Sequence, residues 1–137
     1  MADKITVEVT PIATGSGVDG KHAGLVKAPM QQAAEKAVKG AGFDLVKSPA
    51  KGTKGLCLVG SLESLGADAK GQKLLAKVGM AIATLSDKSI KATVTGIGGF
   101  EIAKADIKDA DLKEAAVIAV GEAMKSALPY MKKTKPG

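Results

Sequence analysis

Two long alternating segments joined by a short polar turn, followed by one long amphipathic segment, occupy residues 72–131 and predict an α+β fold. The order read along the whole chain is strand, helix, strand, strand, strand, helix. That order is expected to build a two-layer α/β sandwich: a mixed four-stranded sheet (β-α-β-β-β-α) with two helices on one face. A strand-helix-strand opening favours a right-handed parallel crossover, and the remainder reads as an antiparallel meander. The 137 residues suit a single domain, 1–137, with the Lys-rich end 132–137 expected to form a flexible tail.

Each element has its own signal. Residues 4–12 place Ile5, Val7 and Val9 on one face and Thr6, Glu8 and Thr10 on the other, a half-buried strand stopped by Pro11. Residues 13–24 are polar and rich in glycine, and read as a loop. Met30, Ala33, Ala34, Ala37, Val38 and Ala41 then recur at helical spacing, predicting a helix over 28–41 with Pro29 in its first turn and Gly42 just past its end. Phe43 to Val46 reads as a short extended piece before a loop over 47–54. Leu56, Leu58 and Leu62 mark a second strand over 55–65, in which Gly60 suits a bulge or a close approach. Leu74, Ala76, Val78, Met80 and Ile82 share one face of a third strand over 72–85. Ser86-Asp87-Lys88-Ser89 turns the chain, and Ile90, Ala92, Val94 and Ile97 return it, with Gly96, Gly98 and Gly99 expected to bend that strand. Asp111 and Glu114 have capping-box spacing and are expected to open a last helix over 112–127, which Pro129 ends or kinks. Leu112, Ala115, Ala116, Ala119, Val120, Ala123, Met124, Ala127, Leu128 and Met131 make its apolar stripe, and the small alanines allow it to lie close on a sheet.

Composition narrows the function. The net charge is +6, yet all twenty basic residues are Lys, and Phe43, Phe100 and Tyr130 are the only aromatics. Without the bidentate fork of Arg or a stacking platform, specific nucleic-acid readout is disfavoured. A loose, salt-sensitive attraction to polyanions remains open beside the plainer reading of a solvated lysine surface. A single cysteine, Cys57, excludes an internal disulfide and a cysteine-based zinc site. Its apolar setting, Leu56-Cys57-Leu58-Val59, predicts a buried inert thiol rather than a nucleophile paired with His22. No stretch is long and apolar enough for a membrane span, and no basic-then-apolar leader stands at the start.

The sharpest motif is Gly15-Ser16-Gly17-Val18-Asp19-Gly20-Lys21-His22, which has phosphate-loop spacing through Gly15, Gly20 and Lys21. His22 stands where such a loop needs a hydroxyl for magnesium. The predicted helix also starts too late, so a surface loop is the preferred reading. His22 is the only histidine, which excludes a histidine metal cluster within the chain. Asp106, Asp109 and Asp111 precede the last helix, where acidic side chains favour the positive end of the dipole, and their spacing does not make a calcium loop. No pair of carboxylates is placed for acid-base work, so no catalytic, metal or cofactor site is assigned and the chain is read as not an enzyme.

Ala41-Gly42-Phe43-Asp44-Leu45-Val46, Leu58-Val59-Gly60-Ser61-Leu62 and the Thr84–Ile90 hairpin together resemble the βαββ-type domains of bacterial envelope proteins. These are the curli secretion lipoprotein, the lipoprotein activators of penicillin-binding proteins and the N-terminal domain of TolB. The resemblance spans roughly residues 25–128, although the hairpin lacks the usual glycine and the aromatic that follows it. It implies a non-catalytic module of the cell envelope, periplasmic or secreted with the cytoplasm left open, that binds a protein partner. The alternatives are a self-assembling structural subunit, as a homo-oligomer or filament, and a Lys-driven anion or nucleic-acid binder. No functional residue is carried over from these families.

Overall fold

The chain forms β1 (Thr6–Val9), β2 (Ala13–Gly17), α1 (Gly20–Gly40), β3 (Asp44–Leu45), β4 (Leu56–Ala67), β5 (Lys73–Thr84), β6 (Ile90–Glu101), a 3-10 turn (Lys104–Asp106) and α2 (Asp109–Lys133). The structure is a computed structural model that describes residues 5–47, 53–85 and 88–133. One mixed sheet runs in the order β3-β1-β4-β5-β6, with β2 also paired to β4. β1 is parallel to β3 and β4, whereas β4, β5 and β6 form an antiparallel meander of twelve-residue strands. The expected parallel crossover and meander are both present.

Among the described residues the sheet has six strands rather than the four expected. Pro11 interrupts the first line of pairing, and the chain resumes alongside β4 as β2, so the presumed loop 13–24 supplies a strand and the first turn of a helix. The short extended piece after Phe43 becomes β3, which covers Thr6 and Val7, so β1 is an inner strand there.

Helix α1 begins eight residues earlier than its glycine-rich start predicts. Asp19 is its N-cap and accepts from the Lys21 N–H at 2.9 Å, which satisfies a helix-start donor that would otherwise lack a partner. Burial of Val26, one turn before Met30, extends the apolar stripe and outweighs the cost of Gly24 and of Pro29, which lies inside the helix. The C-terminus closes as the sequence predicts. Gly42 takes φ 92°, its N–H donates to Lys39 and that of Phe43 donates to Val38, the paired bonds of a glycine-closed helix end.

Helix α2 is longer than expected at both ends. The capping geometry lies three residues earlier: Asp111 occupies the third helical position, and its carboxylate accepts from the Lys108 N–H at 2.9 Å. Pro129 does not end the helix, because Met131 beyond it is fully buried, and Lys132 and Lys133 form its last turn rather than a tail. Residues 134–137 and the Ser86-Asp87 half of the hairpin lie outside the described residues.

The helix stripes and the inner-face side chains of the sheet form one core, including Val7, Leu56, Leu58, Leu62, Leu74, Val78, Ile82, Met30, Val38, Val120 and Met124. The glycines of β6 do more than bend it. A Cβ at Gly96 would collide with the backbone of Ala119 and Ala123, and one at Gly98 with that of Ile118 and Ala119, so the α2 backbone rests directly on the strand. Gly60 makes the other expected close approach, its missing Cβ lying 3.3 Å from Ile12, while the bulge of β4 falls between Leu62 and Ser64.

Candidate functional site

With both helices packed into one core, the opposite face of β4, β5 and β6 carries no helix among the described residues. Its rows follow from the register: Val59, Ala81 and Thr93; Ser61, Gly79 and Thr95; Lys77 and Ile97; Leu75 and Gly99; Lys73 and Glu101. Val59 is 48% exposed, Leu75 38%, Ile90 65% and Ile97 61%, so four of the five large apolar side chains exposed among the described residues lie along these strands. The half of the face formed by Ser61, Gly79, Ala81, Thr93 and Thr95 is small and neutral. Glu63 pairs with Lys77 at 3.8 Å, and Lys73 stands opposite Glu101. Alternation hides the inner residues and leaves these apolar side chains at polar parity, a signal present in the strand pattern but weaker there than the buried stripe.

Cys57 lies at one end of this face, buried with Ala83 and Leu85. Its neighbour is Glu8, with Sγ 3.7 Å from Oε1, and Glu8 in turn pairs with Lys88 at 3.5 Å. Burial pushes the thiol pKa up; Lys88 opposes that shift and Glu8 reinforces it. The residue is therefore less nucleophilic than a free cysteine. His22, the partner weighed for it, is in the first turn of α1 and has a buried Nδ1 with no hydrogen bond among the described residues.

A second feature is a cleft of about 590 Å³ between β1 and α1, lined in part by Glu8, Pro11, Lys27 and Gln31. An adjoining hollow of about 290 Å³ shares Gly24 and Lys27 and reaches Ile12, Ala13 and Thr14. Gln31 bridges the strand break beneath it. Its Oε1 accepts from the Ile12 N–H at 3.0 Å, and its Nε2 donates to the Val9 carbonyl at 3.1 Å and to Glu35 at 3.2 Å. The backbone groups freed by Pro11 are thus satisfied by a helix side chain, a tertiary arrangement with no local sequence signal.

The phosphate-loop spacing maps onto ordinary elements. Gly15 lies in β2 against the Leu62 carbonyl, Gly20 starts α1, and Lys21 is exposed in its first turn. The helix does start where such a motif needs it, contrary to the expectation. However, the Asp19 carboxylate already holds the Lys21 amide, so a negative group sits at the helix start that a phosphate would use. Asp106 lies in the 3-10 turn and Asp109 and Asp111 in the first turn of α2. Among the described residues no group of three or more His, Cys, Asp or Glu could hold a metal ion, and no helix is long and apolar enough to cross a membrane.

No family model matches the chain, and no curated protein matches it in sequence. Solved structures do. A hypothetical protein of Chlamydia trachomatis superposes with a TM-score of 0.67 at 8% identity, covering 96% of this chain and 100% of that one. PelC of Paraburkholderia phytofirmans, solved as a dodecamer, gives 0.58 at 14% identity over 90% of this chain and 89% of that one. A lipoprotein of Neisseria meningitidis gives 0.54 at 6% identity over 95% and 99%. The likeness is one of fold. Bacterial lipoproteins recur among these neighbours, which do not single out the three envelope families that the sequence resembles.

Proposed function

We propose that this chain is a non-catalytic protein-interaction module of the bacterial cell envelope, periplasmic or secreted, which acts by binding a protein partner through the helix-free face of its sheet. The carrying observation is that face, where Val59, Leu75, Ile90 and Ile97 stand exposed along three long strands. Apolar side chains gathered on one surface favour association, because burying them removes apolar area from water. The recurrence of lipoproteins among the structural neighbours supports the compartment. A non-catalytic role is supported by the dispersal of the reactive groups: Cys57 beside Glu8, His22 on α1 and the aspartates at the start of α2 belong to separate parts of the fold.

Self-assembly is the second reading, favoured by a neighbour of the same fold that was solved as a dodecamer. A photo-crosslinking side chain placed at Thr95 on the face, and separately at Glu114 on the exposed side of α2, tests the proposal in envelope fractions. Discrete protein adducts from position 95 alone are expected, and they should weaken with Ile97→Lys. Adducts of the chain with itself would favour self-assembly. Equal labelling from both positions would remove the face as the working surface.

A further inference from the structure

We infer that the occupant of the helix-free face is a second copy of this chain, packed sheet against sheet. This takes up the second reading above, makes it specific to one surface, and rests on the helix-free face that both readings use. The chain carries a net charge of +6, so most pairings of its surface with itself would bring lysines together. On this face the charges are locally balanced. Lys77 pairs with Glu63, Lys73 stands opposite Glu101 and Lys88 pairs with Glu8, so that among the described residues Lys91 at the corner is the added cation. Locally balanced charge lets the same patch meet itself, which a two-fold interface requires.

The shape agrees with the charge. Residues near a two-fold axis meet their own copies, which favours small, uncharged side chains there; Ser61, Gly79, Ala81, Thr93 and Thr95 form such a patch over one half of this face, next to the middle row that holds Lys77 and Ile97. Around them Val59, Leu75, Ile90 and Ile97 project far enough to interdigitate across the roughly 10 Å that separates packed sheets. Three strands of twelve residues span roughly 40 by 14 Å, or about 560 Å² of face, somewhat below the ~800 Å² per partner of a standard stable interface. A reversible dimer is the expected product, its population rising with concentration.

Light scattering on a sizing column across a wide concentration range tests this on the full chain. The mass should climb from 13.8 kDa towards twice that value. Val59→Lys with Leu75→Lys places unpaired cations on the inner strands of the face without touching the β6 edge, and should hold the mass at 13.8 kDa throughout. Glu114→Lys on α2 should leave the association unchanged. Both face positions are exposed, so an unaltered far-UV spectrum is expected of the double variant; Thr95→Lys gives an independent second variant. A mass of 13.8 kDa at every concentration would overturn the second-copy inference while leaving a different protein as the partner. An assembly that persists in both face variants would overturn it too, and would remove the face itself from the reading above.

Discussion

Asp68 closes the turn between β4 and β5. Its carboxylate accepts from the Gln72 N–H at 2.9 Å and the Lys73 N–H at 3.2 Å, and the Gly71 N–H donates to its carbonyl. The two side-chain bonds favour the charged form and hold its pKa below the ordinary carboxylate value. A carboxylate with a lowered folded pKa stabilises the native state above its unfolded pKa, and that contribution is lost as pH falls through the folded value. The melting temperature is therefore expected to drop on acidification below the usual carboxylate range, with Asp68→Ala lowering it at neutral pH and flattening the acid limb. A pH series of thermal melts on both proteins checks this; parallel curves would exclude Asp68 as a contributor. Cys57 shows the opposite case, a group kept neutral by burial.

At the scale of elements, the contact between α2 and β6 has the least tolerance. Gly96 and Gly98 lie against helix backbone, which cannot move aside as a flexible side chain can. Gly98→Ala is expected to destabilise by at least about 2 kcal/mol, in the upper part of the range for overpacked cores. Gly121 offers the contrast, being inside the same helix with nothing within 4 Å of an added Cβ. Gly121→Ala should stabilise by roughly 0.5–1 kcal/mol through helix propensity. Denaturant titrations of the two variants measure both signs, and a neutral Gly98→Ala would mean that the helix does not sit on the strand.

Taken whole, the molecule is cationic through lysine alone, and its charge is spread over strands, turns and helices instead of being concentrated around the cleft. Such a surface attracts polyanions by counterion release and loses them as salt rises. Retention on a heparin matrix is expected at low salt and should vanish by roughly 200 mM, with Lys21→Ala making no special difference. Retention that persists at higher salt, or that depends on Lys21, would restore an anion-binding role.

Periodicity alone carries the long elements. The alternation of Leu74, Ala76, Val78, Met80 and Ile82 and the stripe from Leu112 to Met131 are repeated local consequences of burial on one side, so the meander and α2 are legible from the order of residues alone. Gly42 is legible too, since a helix end that needs φ 92° selects glycine. The glycine-rich stretch over 13–24 is not: its residues have weak intrinsic preferences, and pairing with β4 together with the Asp19 cap decides between loop, strand and helix. The roles of Gly96 and Gly98 and the bridging by Gln31 likewise depend on partners distant in sequence. The exposed face lies between these cases. Its apolar residues are visible in the strand pattern, but only the placement of both helices in the core opposite leaves them uncovered.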